Sequence, residues 1–230
     1  MRENLIERLN GGLVVSCQAF PDEPLYSVDT MVRLAVAACI GGAAAIRASW
    51  PENISAIKKS VNLPIFGINK LLPEHYNKMT DVIITPTLES ALAIYYAGAD
   101  IIAVDCTNRQ RTPEQIEALV KSIKENTDAL VMGEVSTCEE GMQAERFGAD
   151  IISTTIAGYT EYSRQIKEPD YQLIRDLVAN SKLPVNAEGR FRTPEQVKTA
   201  FDCGAWTVTV GSAITRPSVI TRSFVDFIST

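Results

Sequence analysis

Two short motifs recur along this chain and restrict the folds that it can adopt. Gly98–Ile102 has the sequence GADII, which recurs in Gly148–Ile152, and a looser copy, GAWTV, lies in Gly204–Val208. Arg111–Gln115 and Arg192–Gln196 share the sequence RTPEQ. In GADII the glycine is typical of a helix C-cap and the apolar residues of a strand, whereas TPEQ offers a threonine N-cap and a proline at the first helical position. The repeated unit is therefore a strand followed by a helix.

Short apolar runs at regular intervals predict the remaining strands. Eight strands are expected, beginning near Gly12, Ala43, Pro64, Ile101, Leu130, Ile151, Pro184 and Trp206. Because they alternate with helical patterns, they predict an α/β fold in which a closed parallel barrel, a (β/α)8 TIM barrel, forms one domain over residues 1–230. The run Val82–Ile84 has no place in this alternation, so we assign it to an elaborated third loop and not to a ninth barrel strand.

Composition and charge exclude several classes of protein. The net charge is −6 and no basic run occurs, which argues against binding to nucleic acid or to an anionic membrane surface. No apolar run reaches about 18 residues and the N-terminus is charged, so we expect no signal peptide, no membrane span and a cytoplasmic location. The five cysteines form no C-x-x-C pair and His75 is the one histidine, so neither a disulfide framework nor a metal site is expected.

Polar residues follow the predicted strands at their carboxyl ends, where TIM barrels carry their active sites. The set is Gln18, Arg47, Lys70, Asp105, Glu134, Thr154, Thr155, Glu188 and the turn Gly211–Ser212. It contains no Ser-His-Asp combination and no pair of histidines. Acid–base work therefore falls to lysine and the carboxylates.

Lys70 and Glu188 are the candidate catalytic residues. A lysine at a strand end near an arginine has a lowered pKa, which suits it to proton abstraction or to Schiff-base formation. The alternative for Lys70 is a solvated loop lysine. Glu188 orients Lys70, binds sugar hydroxyls or serves as a second acid or base, and the alternative is an ordinary loop charge.

The last two strand–helix loops predict a phosphate site. Gly189 and Arg190 follow the seventh strand, and Gly211, Ser212 and Arg216 follow the eighth. Glycine allows the backbone to approach an anion, and the loops after the last two strands of TIM barrels frequently bind phosphate. Arg190 and the nearby Arg192 are alternatives to Arg216 for binding the phosphate. Both are expected to be more exposed to solvent than Arg216. The ligand expected here is a small phosphorylated molecule.

Several other residues allow two interpretations. Arg47 either stabilises a developing oxyanion or pairs with a barrel-mouth carboxylate, and Glu134 and Asp105 either contact substrate or order such an arginine. Gln18 either bonds a substrate hydroxyl or amide or is a satisfied loop amide. A further group is expected to serve other roles: Cys17 and Cys106 as buried fillers, His75 as a loop residue, and Tyr159–Tyr162 as a lid or sugar wall.

Taken together, motifs along nearly the whole chain resemble those of the N-acylglucosamine-6-phosphate 2-epimerases, also called N-acetylmannosamine-6-phosphate 2-epimerases. They are SCQ at 16–18, Arg47, PIFGINK at 64–70, ITPT at 84–87, DIIAVDCTNRQRTP at 100–113, GADIISTTIAGYT at 148–160, NAEGR at 186–190 and VGSAITRP at 210–217. Each motif alone is weak, and it is their order that makes the resemblance specific.

This resemblance implies a cofactor-independent TIM barrel of the ribulose-phosphate-binding type that moves the C2 proton of an amino sugar phosphate in bacterial sialic acid breakdown. It implies that Lys70 is the acid/base and that Glu188 works beside it. The sugar site would be lined by Gln18, Arg47, Glu134, Thr155 and Tyr159, and the phosphate would be held by Gly189, Arg190, Gly211, Ser212 and Arg216. The family also implies a homodimer, for which the apolar segment Val219–Ile228 offers a contact surface.

The chain departs from the family pattern at two places. The family usually has M-A-D at the end of the fifth strand, whereas this chain has Met132-Gly133-Glu134, and we expect the smaller Gly133 to accommodate the longer Glu134. Asn69 replaces an apolar residue and is expected to alter the wall beside Lys70.

Three alternative functions remain open at this stage. A Schiff-base aldolase would form a lysine adduct that borohydride traps, and some ketose-phosphate isomerases would depend on a metal. A catalytically inactive phosphosugar-binding barrel would bind the sugar without exchanging its C2 proton.

Overall fold

In the computed structural model, which describes residues 2–229, eight parallel strands close into a barrel. Each strand pairs with the next along the chain, and the eighth pairs with the first. The strands are β1 (Gly12–Cys17), β2 (Ala45–Ser49), β3 (Ile65–Ile68), β4 (Ile101–Asp105), β5 (Leu130–Glu134), β6 (Ile151–Ser153), β7 (Val185–Glu188) and β8 (Thr207–Val210). The predicted (β/α)8 barrel is confirmed. That residues 1–230 form one domain stays a prediction.

Helices follow the strands and cover the outside of the barrel, except for the first helix, which precedes β1. They are α1 (Arg2–Leu9), α2 (Val28–Ile40), α3 (Pro51–Ser60), α4 (Leu88–Tyr96), α5 (Pro113–Asn126), α6 (Cys138–Phe147), α7 (Tyr171–Asn180), α8 (Pro194–Asp202), α9 (Ser212–Thr215) and α10 (Pro217–Ile228). Thr112 and Thr193 close capping boxes with Gln115 and Gln196, as the TPEQ motif predicts. No helix in this described range has both the length and the apolar composition needed to cross a bilayer.

The aspartate of each GADII motif has a structural role that explains the repeat. The Asp100 carboxylate accepts the N–H of Ile65 at 2.8 Å and the ammonium of Lys58 at 2.5 Å. Asp150 does the same for Val131 at 2.9 Å and Lys124 at 2.5 Å. Each aspartate thus bonds a backbone N–H at the start of the preceding strand, which would otherwise lack a partner at the barrel floor.

The looser third copy differs because its aspartate position holds Trp206. The Trp206 indole donates to the carbonyl of Ile6 at 2.8 Å, and its ring stacks on Phe66 with centroids 6.4 Å apart. Leu9 lies in the same interior cluster and is 2% exposed, so α1 closes the floor of the barrel. The eighth strand begins at Thr207 and not at Trp206, because this residue belongs to the floor.

The third loop returns to the barrel, as expected of the run Val82–Ile84. Ile84 forms an isolated antiparallel bridge with Lys70, and the N–H of Leu71 donates to the carbonyl of Ile83 at 2.9 Å. The N–H of Asp105 donates to the carbonyl of Ile84 at 3.3 Å. The run therefore fills the gap between β3 and β4 above the barrel and adds no ninth strand.

The second strand extends further than predicted. The sequence indicated that it would end at Arg47, but β2 runs to Ser49 and Arg47 is its third residue. Arg47 pairs in register with Ser16 of β1 and Phe66 of β3. In the sequence, Arg47 interrupts an apolar run and so indicates the end of a strand. In the barrel the strand continues, because the Arg47 side chain forms ion pairs with carboxylates.

Candidate active site

A buried charged centre lies at the mouth of the barrel and consists of Arg47, Glu134 and Glu188. Arg47 Nη2 forms an ion pair with Glu134 Oε1, and its Nη1 lies 3.3 Å from Glu188 Oε2. Arg47 and Glu134 are 1% and 0% exposed, whereas Glu188 remains partly open to solvent. One arginine thus faces two carboxylates, which leaves this group of three with an excess of negative charge.

Burial shifts the pKa values of the basic and the acidic groups of this centre in opposite directions. Burial opposes the charged form of Arg47, but the carboxylates of Glu134 and Glu188 outweigh it and raise the pKa of the guanidinium. Burial also raises the pKa of Glu134 above its usual range, and the charge of Glu188 adds to this effect. Among the described residues, Arg47 Nε and Glu134 Oε2 are buried without a hydrogen-bond partner, so both retain bonding capacity for a ligand.

A layer of small polar side chains supports the charged centre from inside the barrel. Thr155 Oγ1 donates to Glu134 and to Glu188, at 3.2 Å in each case, and lies 2.8 Å from Ser153 Oγ. Asn186 Nδ2 donates to Ser153 Oγ at 2.7 Å. The side-chain carbonyl of Asn186 in turn accepts hydrogen bonds from two threonine hydroxyls of β8. This chain of hydrogen bonds fixes the orientation of both carboxylates and links β5, β6, β7 and β8.

Lys70 lies at the rim of the same mouth, two residues beyond β3. Its ammonium lies 4.4 Å from the centre of the Phe20 ring. Burial, followed by the positive charge of Arg47, lowers the pKa of Lys70 from 10.5 to about 8, although Glu134 and Glu188 act in the opposite direction. Within the described part of the chain, no ion pair joins Lys70 to a carboxylate. The side chain is half-buried and therefore accessible to a ligand in the mouth.

Gln18 lies at the same mouth, directly after β1. Its Nε2 donates to Ser16 Oγ at 2.7 Å, which fixes the direction of the amide. Its Oε1 is buried and has no hydrogen-bond partner among the described residues. A buried carbonyl oxygen without a donor favours the substrate-binding interpretation, because a ligand hydroxyl or amide would satisfy it.

The expected phosphate loops lie side by side above β7 and β8. Gly189 has φ +119 and Arg190 has φ +63, and Gly211 begins α9 without a side-chain cap. Ser212 is exposed at the first position of this helix. The Arg216 guanidinium forms an ion pair with Glu23 from the loop after β1. A cavity of about 160 Å³ opens beside it, with walls that include Gln18, Glu23, Thr215 and Arg216.

Arg190 is held by the loop after β6 and is not simply solvated. Its Nη1 donates to the carbonyl of Ala157 at 2.7 Å, and its guanidinium lies 4.9 Å from the centre of the Tyr159 ring. Lys78 approaches the same ring at 5.6 Å. Arg192, by contrast, is exposed. The Tyr159 ring thus lies near cations from two different loops, the one after β3 and the one after β7.

With this geometry in place, the chain can be compared with known proteins. Residues 31–230 match the protein family described as "Putative N-acetylmannosamine-6-phosphate epimerase". A protein of Caldanaerobacter subterraneus subsp. tengcongensis named "Putative N-acetylmannosamine-6-phosphate 2-epimerase" is 47% identical over 230 residues, which cover 99% of this chain and 95% of that protein. A protein of the same name from Clostridium perfringens strain SM101 is 44% identical over 97% of this chain and 100% of its own length.

The chain belongs to the N-acetylmannosamine-6-phosphate epimerase family. The predicted family is therefore confirmed, and with it the expectation of an enzyme of the isomerase class. The solved structure of the N-acetylmannosamine-6-phosphate 2-epimerase from Clostridium perfringens has a TM-score of 0.90 and 43% sequence identity, covering 97% of this chain and 96% of that one. This agreement confirms the barrel architecture at the level of the family.

The first departure from the family pattern has a different cause from the one expected. A Cβ at position 133 would lie 2.8 Å from the Cβ of Ala144 on α6 and 3.2 Å from Cys106 Sγ. Successive side chains of a strand point to opposite faces, so Gly133 faces the helices while Glu134 faces the mouth. The expectation that Gly133 accommodates Glu134 is wrong, because the glycine accommodates α6.

Asn69, the second departure, also faces away from Lys70. Its Nδ2 donates to the carbonyl of Ser90 at 3.2 Å, and its N–H donates to Thr85 Oγ1 at 3.1 Å. The expected change in the wall beside Lys70 is therefore not found. Asn69 instead anchors the returning third loop to the first turn of α4.

Asp105 is a structural residue in this family member. Its carboxylate accepts Arg109 Nη2 at 2.5 Å and the hydroxyl of Thr107 at 2.6 Å. Arg109 then donates to the carbonyls of Lys78, at 2.8 Å, and Tyr159, at 3.0 Å. Asp105 thus orders an arginine that ties the loops after β3, β4 and β6 together.

Glu140 is a second hub of the loops, and sequence reasoning missed it. Its carboxylate accepts the N–H of Asn108 at 2.9 Å, the hydroxyl of Ser136 at 2.7 Å and the phenol of Tyr162 at 2.5 Å. The only sequence signal was its place as the fourth residue of a T-x-x-E capping box starting at Thr137. Tyr162 is therefore an anchor of the loop after β6.

The other titratable candidates behave as expected. Cys17 and Cys106 are buried, and burial raises the pKa of the Cys17 thiol to about 12 and that of Cys106 further still. His75 is exposed in the third loop. Among the residues that the structure describes, no group of three or more His, Cys, Asp or Glu side chains is arranged to hold a metal ion.

Proposed function

We propose that this protein interconverts N-acetylmannosamine 6-phosphate and N-acetylglucosamine 6-phosphate by removing and returning the C2 proton, without a cofactor. One observation carries the proposal. Lys70 has a pKa lowered to about 8 and stands beside a buried charged centre at the carboxyl end of the barrel. An amine with a pKa near the working pH is suited to both the removal and the return of a proton.

The chemistry of the substrate explains why the other charged groups are needed. A proton at C2 is acidic only when C1 is a carbonyl, so the sugar ring opens before the proton leaves. Removal by the neutral Lys70 amine places negative charge on the C1 oxygen. Arg47, which has an unsatisfied Nε, is positioned to stabilise that oxyanion.

Return of the proton to the opposite face of C2 inverts the centre. Either Lys70 serves both faces, or Glu188 serves the second one, since both surround the same mouth. Glu188 is suited to this role because Thr155 and Arg47 fix its carboxylate while part of it remains open to solvent. Gln18, Thr155 and Tyr159 are assigned to the sugar hydroxyls and the N-acyl group.

The phosphate supplies binding energy at a distance from the reacting carbon. We assign it to Gly189, Arg190, Gly211, Ser212 and Arg216. Binding energy from a remote group holds the reacting atom in place against Lys70 and so contributes to the rate of the chemical step. Glu23 holds the Arg216 guanidinium in an ion pair beside these loops.

A homodimer is part of the proposal because α10 has an exposed apolar face. Phe224, Val225 and Ile228 are 69%, 44% and 80% exposed, and no residue of this helix is buried. Apolar surface of this extent is typical of a protein interface. Sedimentation of the wild type as a dimer and of Phe224→Glu as a monomer would support this, whereas a monomeric wild type would contradict it.

We further propose that this reaction belongs to the breakdown of sialic acid and related amino sugars and takes place in the cytoplasm. The deciding experiment is proton NMR of the purified protein with N-acetylmannosamine 6-phosphate in D2O, after dialysis against a chelator. We expect deuterium at C2 together with the glucosamine epimer. Binding without exchange would identify an inactive barrel, and a borohydride-trapped lysine adduct would identify an aldolase.

Lys70→Ala is the variant that assigns the base. We expect its exchange rate at C2 to fall by about two to four orders of magnitude, since general base catalysis contributes that much. Lys59→Ala, an exposed lysine of α3, is the matched control and retains the wild-type rate. A wild-type rate in Lys70→Ala would remove Lys70 from the mechanism.

A further inference from the structure

An aromatic cluster that the mechanism above does not use surrounds Lys70. It consists of Phe20, Tyr26 and Trp50, from the loops after β1 and β2. The rings of Phe20 and Trp50 meet edge to face with centroids 6.4 Å apart, and those of Tyr26 and Trp50 do so at 6.0 Å. Such arrangements are the favoured geometry of aromatic pairs.

Trp50 holds the backbone of the catalytic lysine. Its indole N–H donates to the carbonyl of Lys70 at 2.9 Å. Its own backbone has φ +72, a left-handed conformation that is unfavourable for a bulky residue. Strain of this kind persists where surrounding contacts impose it, and it is concentrated at functional sites. Here the backbone N–H of Trp50 is fixed on the carbonyl of Ile68 at 3.0 Å.

The position of the Lys70 backbone is also fixed from its other side. Ile84 bridges it in antiparallel orientation, and the neighbouring Leu71 N–H is bonded to Ile83. The peptide of Lys70 is therefore held between the returning third loop and the Trp50 indole. What remains free is the side chain, and the Phe20 ring lies against its ammonium at 4.4 Å.

Phe20 also connects the lysine to the proposed phosphate site. Its ring lies 5.8 Å from the guanidinium of Arg216, and its backbone N–H donates to Glu23 Oε2 at 2.7 Å. Glu23 is the carboxylate that pairs with Arg216. The Phe20 ring thus lies close to both cations, the ammonium of Lys70 and the guanidinium of Arg216.

We propose that Phe20 and Trp50 are positioning residues of the catalytic lysine: Trp50 fixes its backbone, and the face of Phe20 holds its ammonium and favours the charged form. This rests on the proposed function only in taking Lys70 as the base. Phe20 acts through the negative charge of its ring face, and Trp50 through its N–H donor. Neither residue reacts with the substrate.

Other charges also act on this amine, and the test must separate them from the ring. Arg47 from β2 and Arg216 before α10 favour its neutral form, whereas Glu134 from β5 and Glu188 from β7 favour its charged form. Phe20→Leu leaves all four in place. It also keeps an apolar side chain over the amine, so that the exposure to water changes little while the ring is lost.

The first experiment measures Lys70 itself without substrate. Competitive acetylation of the purified protein over a range of pH, read by mass spectrometry of the Lys70 peptide, gives the titration midpoint. We expect Phe20→Leu to lower this midpoint by about half a unit to one unit. The control, Tyr96→Leu, removes the exposed ring of an aromatic pair on α4 and leaves the midpoint unchanged. An equal or higher midpoint in Phe20→Leu would overturn the role of Phe20.

The second experiment tests Trp50 by epimerisation kinetics. Trp50→Phe keeps the ring against Phe20 and removes only the N–H donor. We expect kcat to fall about tenfold with KM nearly unchanged, because misplacing the base affects the chemical step and not the binding of the sugar. An unchanged kcat in the folded variant would overturn the role of Trp50.

The two experiments also separate this inference from the proposed function. If the wild type shows no exchange at C2, the function fails, yet the acetylation midpoints still decide whether Phe20 tunes the amine. If the wild type is active and the Phe20→Leu midpoint does not fall, the function stands and the assignment of Phe20 fails. Should Trp50→Phe not fold, Phe20→Leu still decides the role of Phe20, since Phe20 lies half-buried in a loop.

Discussion

Arg47 and Glu134 form an ion pair that spans the interior of the barrel from β2 to β5, with 1% and 0% of their side chains exposed. The two residues belong to strands that are not neighbours in the sheet. A buried pair is not in itself a large source of stability, because desolvation of both charges offsets their attraction. Removing one partner, however, leaves the other charged and buried.

Arg47→Met is therefore expected to destabilise the protein severely. Glu134 and Glu188 would lose their shared counter-charge, which costs about 3–5 kcal/mol in a buried site. Urea unfolding at pH 7 measures the change. Acidification should restore part of the stability, because a protonated Glu134 needs no counter-charge. Arg33→Met, which breaks an exposed pair with Asp29, is the control and should leave the urea midpoint unchanged.

Glu134→Gln should shift the pH dependence of the reaction to lower pH. The Glu134 carboxylate raises the pKa of Lys70, so its removal lowers that pKa and makes the neutral amine available at a lower pH. The measurement is kcat against pH for the variant and the wild type. Glu139→Gln, on the exposed side of α6, serves as the control. A midpoint that moves upward would refute this electrostatic coupling.

Lys70→Met should increase stability while it abolishes turnover. The folded state lowers the pKa of Lys70 from 10.5 to about 8, so the unfolded chain binds more protons between these values. The lysine therefore costs stability in full below pH 8, and this cost disappears as the pH rises to 10.5. In urea unfolding, the midpoint of the variant should be higher than that of the wild type at pH 7. The two midpoints should converge near pH 10.5.

Gly133→Ala, which restores the residue usual in the family, should destabilise this chain. The new Cβ would lie 2.8 Å from the Cβ of Ala144, and we expect a loss of about 1–3 kcal/mol from overpacking. Turnover per folded molecule should not change, because position 133 faces α6. The double variant with Ala144→Gly should recover part of the loss that Gly133→Ala causes, whereas a variant as stable as the wild type would disprove the contact.

Arg216→Ala should weaken the binding of the phosphorylated sugar. A charge-assisted hydrogen bond to phosphate contributes about 1.5–3 kcal/mol, so KM should rise about tenfold to a hundredfold. Steady-state kinetics of the variant give this value directly. Arg192→Ala, an exposed arginine of the neighbouring loop, should keep the wild-type KM. If Arg192→Ala were the variant with the raised KM, the assignment of the phosphate arginine would be reversed.

The order of strands and helices could be predicted because it is written in local patterns. The TPEQ motifs predicted the helix starts at Pro113 and Pro194, since capping depends on residues within one turn. The predictions were wrong where a side chain is stabilised by residues that are distant in the sequence. Arg47 was placed at the end of β2 because nothing near it in the sequence reveals the carboxylates that it meets.

The list of site residues followed from the same periodicity, but their relationships did not. Because the parallel strands of a barrel end on one face, the sequence alone predicts that one mouth contains Gln18, Lys70, Glu134 and Glu188. The contacts of Phe20, Trp50 and Glu140 were not predictable, because each depends on loops that are distant in the chain. The same holds for Gly133, whose neighbour on α6 no local pattern identifies.

The sequence alone thus determined the barrel, the strand-end position of its polar residues and, through its motifs, the family. These properties depend on periodic burial and on capping, which act over a few residues. The tertiary structure decided which charges meet and how they titrate: the Arg47–Glu134 pair, the lowered pKa of Lys70 and the aromatic ring against its ammonium. Electrostatic energies depend on distance and burial in three dimensions, and these are fixed only when the barrel closes.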